Sequence, residues 1–517
     1  MKRRNRSLII LITAAIVYFV LLLLLVAVES ASPDASIHDL GDALWYSIIT
    51  MTTVGYGDLA PVTAGGRILG LIFALCSIGL LTLLIGLGLN LVGRQVIPRL
   101  RLRRARNRQW YRFSGDGEAS TAMALALCRE KPDGLLIFPG ESSVPEGARA
   151  ICIDAGPEEL LRIRGRAEGF ACFYLDPENA ENYTQALRTS ERGITTYCLT
   201  DYTADRLPEA LHLTGPSEMV SRSYWKDHPL HASEHCLVLI GCGETGRALL
   251  ERALLTNIFE KSRRIEYHVF GETERFAALH PEIVRDLMPG ASAGDSLVLY
   301  EGSWTAEPEL LRRADRIVLC ADEDRDNLET AEQLRRWFAV RGEIHVRLTE
   351  PVPGLRCFGT REACCTPEFV MKDALNRRAI RLNDIYNEGS KAPTAWRDLS
   401  EALRQSNIAA ADHLIVKARL LLQDESLTEL TEEVCRRAHE RFLAGTPLTR
   451  EACREIEHRR WVRFHRMYNW KYASERDNAM RLHPLLIPYE ELPEEEQRKD
   501  DYAWEMLGRA GGARGGV

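Results

Sequence analysis

The chain of 517 residues is too long for one domain, and three or four are expected. Its 73 acidic and 66 basic residues leave a formal charge of −7 that hides a strong asymmetry along the chain. Thirteen cysteines show no metal-ligand spacing and no paired framework, which excludes a disulfide-stapled secreted fold and suits a reducing cytoplasm.

Leu8 to Val28 carries no charged residue and is about long enough to span a bilayer. Lys2, Arg3, Arg4 and Arg6 precede it. A cleaved signal sequence is disfavoured, because no small-residue cleavage site is convincing and a second apolar run follows, Ile68 to Val92. That run ends on Arg94, Arg99, Arg101, Arg103, Arg104, Arg106, Arg108 and Arg112. Both basic flanks belong on the cytoplasmic side, so both termini are expected inside and the intervening loop outside. The arginines read as topology signalling or lipid head-group contact, and no nucleic-acid partner is expected. The loop carries Glu29, Asp34, Asp39, Asp42 and Asp58, which would concentrate cations at an outer mouth.

Between the apolar runs, Asp42 to Met51 reads as a short helix whose C-terminal dipole favours a cation. The stretch that follows, Thr52-Thr53-Val54-Gly55-Tyr56-Gly57-Asp58, resembles the selectivity filter of a prokaryotic two-transmembrane potassium channel. The resemblance implies a ring of backbone carbonyls that replaces the hydration shell of K⁺, with the ion held at Thr53, Val54, Gly55 and Tyr56. Gly55 and Gly57 can adopt the positive φ that such a backbone needs. Val54 and Tyr56 would brace the loop, and Trp45 and Tyr46 would form an aromatic cuff. Each chain supplies a quarter of a ring, so a homotetramer is implied. Where several family members carry a glutamate, this chain has Ile49, and Asp58 would lean on Trp45 instead. Gly79 is the candidate gating hinge, with Gly86 and Gly88 as others; close helix packing is the competing reason for glycine there. No arginine-rich helix precedes the first span, so voltage sensing is not expected.

From Gln109, short β runs alternate with helical runs, the pattern of a parallel α/β domain. Strands are expected at Trp110–Phe113, Gly134–Phe138, Arg149–Asp154, Phe170–Asp176 and Ile194–Asp201. A second unit begins at His235, with strands at Cys236–Ile240, Ile265–Phe270, Leu297–Tyr300, Ala314–Ala321 and Glu343–Leu348, followed by mixed helical segments to about Glu388. Glu141 matches Glu272, Glu178-x₃-Asn182 matches Glu323-x₃-Asn327, and Cys198-Leu199-Thr200-Asp201 matches Arg347-Leu348-Thr349-Glu350, so the units read as a repeat. Behind a two-span pore, this pair resembles tandem regulator-of-potassium-conductance (RCK, TrkA-N) domains, Rossmann-like units of which eight form a cytoplasmic gating ring. Gly241-Cys242-Gly243-Glu244-Thr245-Gly246 follows a strand and opens a helix, the context of a dinucleotide fingerprint. Gly241, Gly243, Glu244, Gly246 and Glu272 are therefore the candidate nucleotide-binding residues. The first copy keeps only Gly115 and Gly117 and reads as degenerate. A scaffold that binds nothing is the alternative for both copies.

A linker with Gly389, Lys391 and Pro393 leads to a helical third region opening at Trp396. Glu457-His458-Arg459-Arg460-Trp461, Asn469-Trp470-Lys471-Tyr472 and His483-Pro484 resemble a ryanodine-receptor repeat (RyR) domain, with Asn469 where the family has glycine. A pocket of Trp461, Trp470 and Tyr472, with Lys417, His413 and Arg460 nearby, would stack a base and neutralise phosphate. Core aromatics with surface charges are the alternative. His413 and His458 lack metal-ligand spacing.

The expected organisation is a pore domain (1–98), a basic linker (99–108), two Rossmann-like units (109–232 and 233–388), a mainly α region (395–510) and a disordered tail (511–517). The expected fold class is an α-helical membrane pore plus tandem α/β units and a mainly α RyR-like domain. The function implied is a ligand-gated potassium channel in the inner membrane, sensing a nucleotide-type ligand. A membrane-tethered enzyme is the competing class, but no nucleophile–base constellation is present and no catalytic residues are expected. A partner-docking C-terminal region, or Ca²⁺ sensing at the ring, are the alternatives within the channel class.

Overall fold

The computed structural model describes residues 2–52, 54–140, 142, 144, 149–176, 179–202, 207–291, 294–388, 390 and 392–510. Thr53, Glu141, Glu178, Gly389, Lys391 and the 511–517 tail, all named above, lie outside the described residues. The chain divides into two compact units, residues 1–105 with 152–154, and residues 106–151 with 155–517.

In the first unit both apolar runs are helical, Lys2–Glu29 and Ala64–Leu91, with the short helix Leu40–Met51 between them. Asp39 caps the short helix by accepting from the Asp42 amide, and Thr63 caps the inner helix by accepting from the Gly66 amide. A small core of Leu22, Leu25, Ile37 and Ala43 joins the elements. Among the described residues no helix is long and apolar enough to cross a membrane. The side chains of residues 2–11 and 14, and of 73, 76, 77, 80, 83 and 84, lie outside the described residues. One expectation is corrected here: Glu29 is fully buried, not part of an outer acidic ring. Its carboxylate accepts from the Val62 amide (2.9 Å), the Thr63 amide (3.0 Å) and Thr63 Oγ1 (2.6 Å). It thereby ties the end of the outer helix to the start of the inner one.

The second unit holds two six-stranded sheets. The first comprises β1 (Trp110–Phe113), β2 (Leu135–Phe138), β3 (Ala150–Cys152), β4 (Phe170–Tyr174), β5 (Thr195–Leu199) and β6 (Leu211–Thr214) in the order β3-β2-β1-β4-β5-β6. The second comprises β7 (Cys236–Ile240), β8 (Glu266–Phe270), β9 (Ser296–Tyr300), β10 (Arg316–Leu319), β11 (Glu343–Arg347) and β12 (Arg356–Phe358) in the order β12-β11-β10-β7-β8-β9. Numbered within each unit, both orders are 3-2-1-4-5-6, the doubly wound dinucleotide-binding arrangement, and all five pairings of the second sheet are parallel. Ten of the twelve strands lie where the apolar runs place them. The other two, β6 and β12, are the short sixth strands at the sheet edges, and neither carries an apolar run long enough to announce itself.

Helix Pro216–Asp227, which follows β6, packs into the second unit's core: Trp225 Nε1 donates to the Leu249 carbonyl at 2.9 Å. One continuous core then runs from Tyr224 and Trp225 through Leu249 and Leu254 to Ile408, Leu414, Phe442 and Trp504. The C-terminal helices Glu401–Leu422, Glu432–Ala444, Arg450–Met467 and Asp501–Ala510 are thus built onto the second sheet. Buried ion pairs lock the seam. Arg222 donates to both Asp412 oxygens at 2.9 Å, and Arg252 lies 3.2 Å from the same carboxylate. Arg463 reaches Asp295 at 2.8 Å. Removing one partner of a buried pair leaves a charge uncompensated, at about 3–5 kcal/mol. Arg252 still faces Asp412, so Arg222→Ala is expected to cost about 3 kcal/mol, read as a lower denaturant midpoint of the purified chain.

Candidate functional site

Residues 54–58 follow the C-terminus of helix Leu40–Met51 and are tied to it. The Val54 and Gly55 amides both donate to the Ile49 carbonyl, at 3.0 and 3.2 Å. Gly55 and Gly57 take φ of +55° and +74°, the left-handed region that a Cβ disfavours. Trp45 Nε1 donates to Asp58 Oδ2 at 3.0 Å, and the Trp45 and Tyr56 rings stack at 6.5 Å with 10° between planes. Trp45 therefore holds residues 54–58 at two points, one polar and one aromatic.

On the helix Ala64–Leu91, a Cβ on Gly79, Gly86 or Gly88 would meet no described atom within 4 Å. The packing glycines are Gly66 and Gly70. A Cβ on Gly66 would lie 1.8 Å from Glu29 Oε1, and one on Gly70 would lie 3.1 Å from Pro61. The helix departs from α geometry at Val92–Val96, a π turn, a feature often found at functional sites. Periodicity carries no signal for it.

The Gly-rich loops lie at the switch points of the two sheets, between β1 and β4 and between β7 and β10, where ligands of such folds bind. Gly241 takes φ +104°, and a Cβ there would sit 2.3 Å from the Ala321 amide nitrogen. The helix that follows, Glu244–Thr256, offers its first amides as an anion site. An anion from the chain already sits there. The Glu244 amide donates to Asp322 Oδ2 at 2.8 Å and the Thr245 amide to Oδ1 at 3.0 Å. A Cβ on Gly243 would collide with the same carboxylate at 2.1 Å. A carboxylate also stands beside the Gly-rich loop of the first sheet. Asp176 accepts from Ser120 Oγ at 3.1 Å, and a Cβ on Gly117 would meet it at 2.1 Å. Asn182 donates to the Asp176 carbonyl, as Asn327 donates to the Ala321 carbonyl. Glu244 is paired with Arg247 and Arg275, while Glu272 stands exposed beside the left-handed Gly271. Asp176 and Asp322 escaped the motif reading because the fingerprint does not contain them.

The six residues expected to line a C-terminal pocket separate into two groups. Lys417 is buried, 2.8 Å from Glu457 and over the Trp504 ring at 5.0 Å. Arg460 forks onto Glu457 at 2.6 and 2.9 Å. His413 is fully buried, with Nε2 at 2.9 Å from the Ile258 carbonyl. Burial, then the Lys417 ammonium, pushes its imidazole down to about 3, so it is neutral. Lys417, His413 and Arg460 are therefore corrected from phosphate ligands to members of a buried charge cluster around Glu457. Despite burial, Arg460 and Lys417 hold that carboxyl well below the usual range. Trp461 and Trp470 instead gather around two histidines that sequence reasoning did not assign. His465 lies 3.9 Å from Trp461 and 5.2 Å from Trp470, and His483 lies 4.8 Å from Trp461, ring centre to ring centre. The four-residue spacing from Trp461 to His465 was the available signal. Tyr472 is exposed on the two-residue pairing of Lys471–Tyr472 with Leu482–His483. Asn469 adopts φ +61°, the conformation glycine takes most readily.

An ion-channel family model matches residues 7–93. A voltage-gated potassium channel of Aeropyrum pernix is 49% identical over 59 residues, 11% of this chain and 20% of that protein. Human potassium voltage-gated channel subfamily A member 4 is 46% identical over 56 residues, 11% of this chain and 8% of its own. The chain spans a fifth or less of the length of these curated relatives. Among solved structures, GsuK bound to ADP aligns at a TM-score of 0.32 and 14% identity, covering 69% of this chain and 96% of that one. The GsuK channel bound to NAD aligns at 0.31 and 12% identity, covering 74% and 86%.

The buried cluster makes two expectations. Glu457→Gln leaves Lys417 and Arg460 without their shared counter-charge and should cost about 3–5 kcal/mol, read by thermal or chemical denaturation. Burial, then the Glu457 charge, pushes the Asp500 carboxyl up to about 8. The unfolded carboxyl titrates near 3.9, so between about 4 and about 8 the folded chain holds a proton that the unfolded chain has lost. This contribution favours folding at low pH and is lost as pH rises through that window. Asp500→Asn should match the parent's melting temperature near pH 3 and exceed it near pH 9.

Proposed function

We propose that this chain is one subunit of a ligand-gated, potassium-selective channel, four copies of which line a single pore. The observation that carries the reading is the left-handed backbone at Gly55 and Gly57, braced by Trp45 at the end of a short helix. The ion-channel match to residues 7–93 supports it. Filter carbonyls in fourfold rings would replace the K⁺ hydration shell, with Thr53 at the inner end and Asp58 at the outer. In the single chain Val54 and Tyr56 are 52% and 70% exposed, as expected of bracing residues whose neighbours come from other subunits. The apolar run from Leu8 to Val28 and the one from Ile68 to Val92 are read as membrane spans, with both termini on the cytoplasmic side. Reconstituted protein should pass K⁺ and reject Na⁺. Gly55→Ala or Gly57→Ala should abolish the current, because a Cβ in that region costs about 1–2 kcal/mol in every copy. Equal Na⁺ and K⁺ permeation would contradict the assignment. Light scattering should give a homotetramer, whose α/β units would form one ring of eight.

The gating ligand is proposed to be of nucleotide type. A ligand tenfold selective for the open ring at four sites would supply about 5–6 kcal/mol, enough to invert a closed population. Two sites compete for it: Gly241, Gly243, Gly246 and Glu272, and the aromatic group of Trp461, Trp470 and Tyr472. A phosphate at the first must displace the Asp322 carboxylate from the helix start. Asp322→Asn keeps the shape and removes the charge, so ADP binding at that loop should tighten by about tenfold, ~1.4 kcal/mol, in calorimetry. If Asp322→Asn leaves the open-probability response to ADP unchanged and Trp470→Ala removes it, the aromatic group is the sensor. Gly243→Asp cannot separate the sites, since it also evicts Asp322 in the ligand-free chain.

A further inference from the structure

Cys236 opens β7, and its register partner on β8 is Glu266. His268 stands two residues further along β8, on the same face of the sheet. The Cys236 sulfur, a Glu266 oxygen and a His268 ring nitrogen all lie within 4.8 Å of one another. Among the described residues this is the one such group of three. Cys236 lies 30 and 32 positions before Glu266 and His268, so no spacing motif announces the three together.

The hydrogen bonds settle which His268 nitrogen has its lone pair free for a ligand. Arg313 Nη2 lies 3.2 Å from His268 Nε2, closer than Glu266 Oε2 at 3.5 Å, and a guanidinium only donates, so Nε2 accepts in the shorter contact. The ring proton is then on Nδ1, which lies 3.0 Å from the Tyr300 hydroxyl. A metal-binding histidine is normally held this way, with its second nitrogen donating to a fixed partner that sets the tautomer and the ring orientation. Arg313 Nη1 also donates to Glu266 Oε2 at 2.6 Å. The guanidinium therefore occupies the cation position of the group. It arrives from solvent: the Arg313 side chain is 51% exposed and that of Glu266 46%, whereas Cys236 and His268 are buried. A cation has an entry path, and the group that holds its place can swing out to water.

We propose that Cys236, Glu266 and His268 form a binding site for a zinc-type divalent cation, with Arg313 as the resident cation that the metal displaces. One thiolate, one imidazole and one carboxylate are a borderline-soft set suited to Zn²⁺ rather than Ca²⁺ or Mg²⁺. Bond lengths of about 2.0–2.3 Å place tetrahedral ligands about 3.3–3.8 Å apart, so the three side chains close by about 1 Å on binding. Water fills the fourth position. Binding breaks the Cys236 S–H bond and releases one proton to solvent, while the sulfur lone pair forms the metal bond; no electron is transferred.

The test uses the full chain, tag-free, in detergent after metal removal. Zn²⁺ is titrated against a chromophoric chelator, and Co²⁺ serves as a spectroscopic probe. One Co²⁺ per chain with a near-ultraviolet thiolate charge-transfer band is expected. Cys236→Ser should abolish the band. Tyr300→Phe, which frees the His268 ring, should weaken Zn²⁺ binding roughly tenfold. Arg313→Met should tighten Zn²⁺ binding by at least ~10-fold, since it removes a competing cation; a misfolded variant would not do so. A band that survives Cys236→Ser overturns the proposal, as does absence of the band in the parent chain. Arg313→Met binding no tighter than the parent overturns it too.

Discussion

A carboxylate taken out of water must find a cation or a row of amides, and this constraint organises the second unit. Asp412 meets Arg222 and Arg252, Asp295 meets Arg463, and Glu457 meets Lys417 and Arg460. The Asp412 and Asp295 groups join the C-terminal helices to elements far back in the chain, and the Glu457 group ties helix Glu401–Leu422 to helix Arg450–Met467. Such pairs add little net stability against an apolar replacement, but breaking one is expensive. They therefore fix which helix lies where. The C-terminal helices are continuous with the sheet in both core and charge, so a ligand bound among them would act directly on the sheet's packing.

The same constraint explains the Gly-rich loops. A helix start inside a closely packed switch point presents amides that need an acceptor. Asp322 supplies it in the second sheet, while Asp176 in the first accepts from the Ser120 hydroxyl. Gly241 is required for its left-handed turn, and Gly243 and Gly117 because a Cβ would strike the carboxylate. A fingerprint that evolved for phosphate and one that holds an internal carboxylate look alike in sequence. They differ in what occupies the amides.

In the first unit, Glu29 plays the corresponding part, joining two helices through Val62 and Thr63. With Gly66 and Gly70 admitting close approach, it sets that end of the helix pair, and Trp45 does the same for residues 54–58 through Asp58 and Tyr56. Further along the helix Ala64–Leu91, a Cβ on Gly79, Gly86 or Gly88 would meet no described atom, and a π turn follows at Val92–Val96.

Much of this was legible from sequence, for a local reason. Apolar period marked ten of the twelve strands and the long helices, and glycine marked Gly55 and Gly57, because both signals lie within a few residues of their effect. The repeat was visible because Asn182 and Asn327 do the same work in both copies. What sequence could not decide was which charges face water. Lys417, His413 and Arg460 read as a phosphate pocket and are instead the cations and the neutral imidazole around one buried glutamate. Trp461 and Trp470 keep their place but acquire His465 and His483 as neighbours. Cys236, Glu266 and His268 come together only because parallel pairing sets Cys236 against Glu266. Burial and register are properties of the packed chain: a charged side chain is a surface residue until the fold brings a partner within 3 Å, 82 positions away for Arg316 and Glu234 and 190 for Arg222 and Asp412.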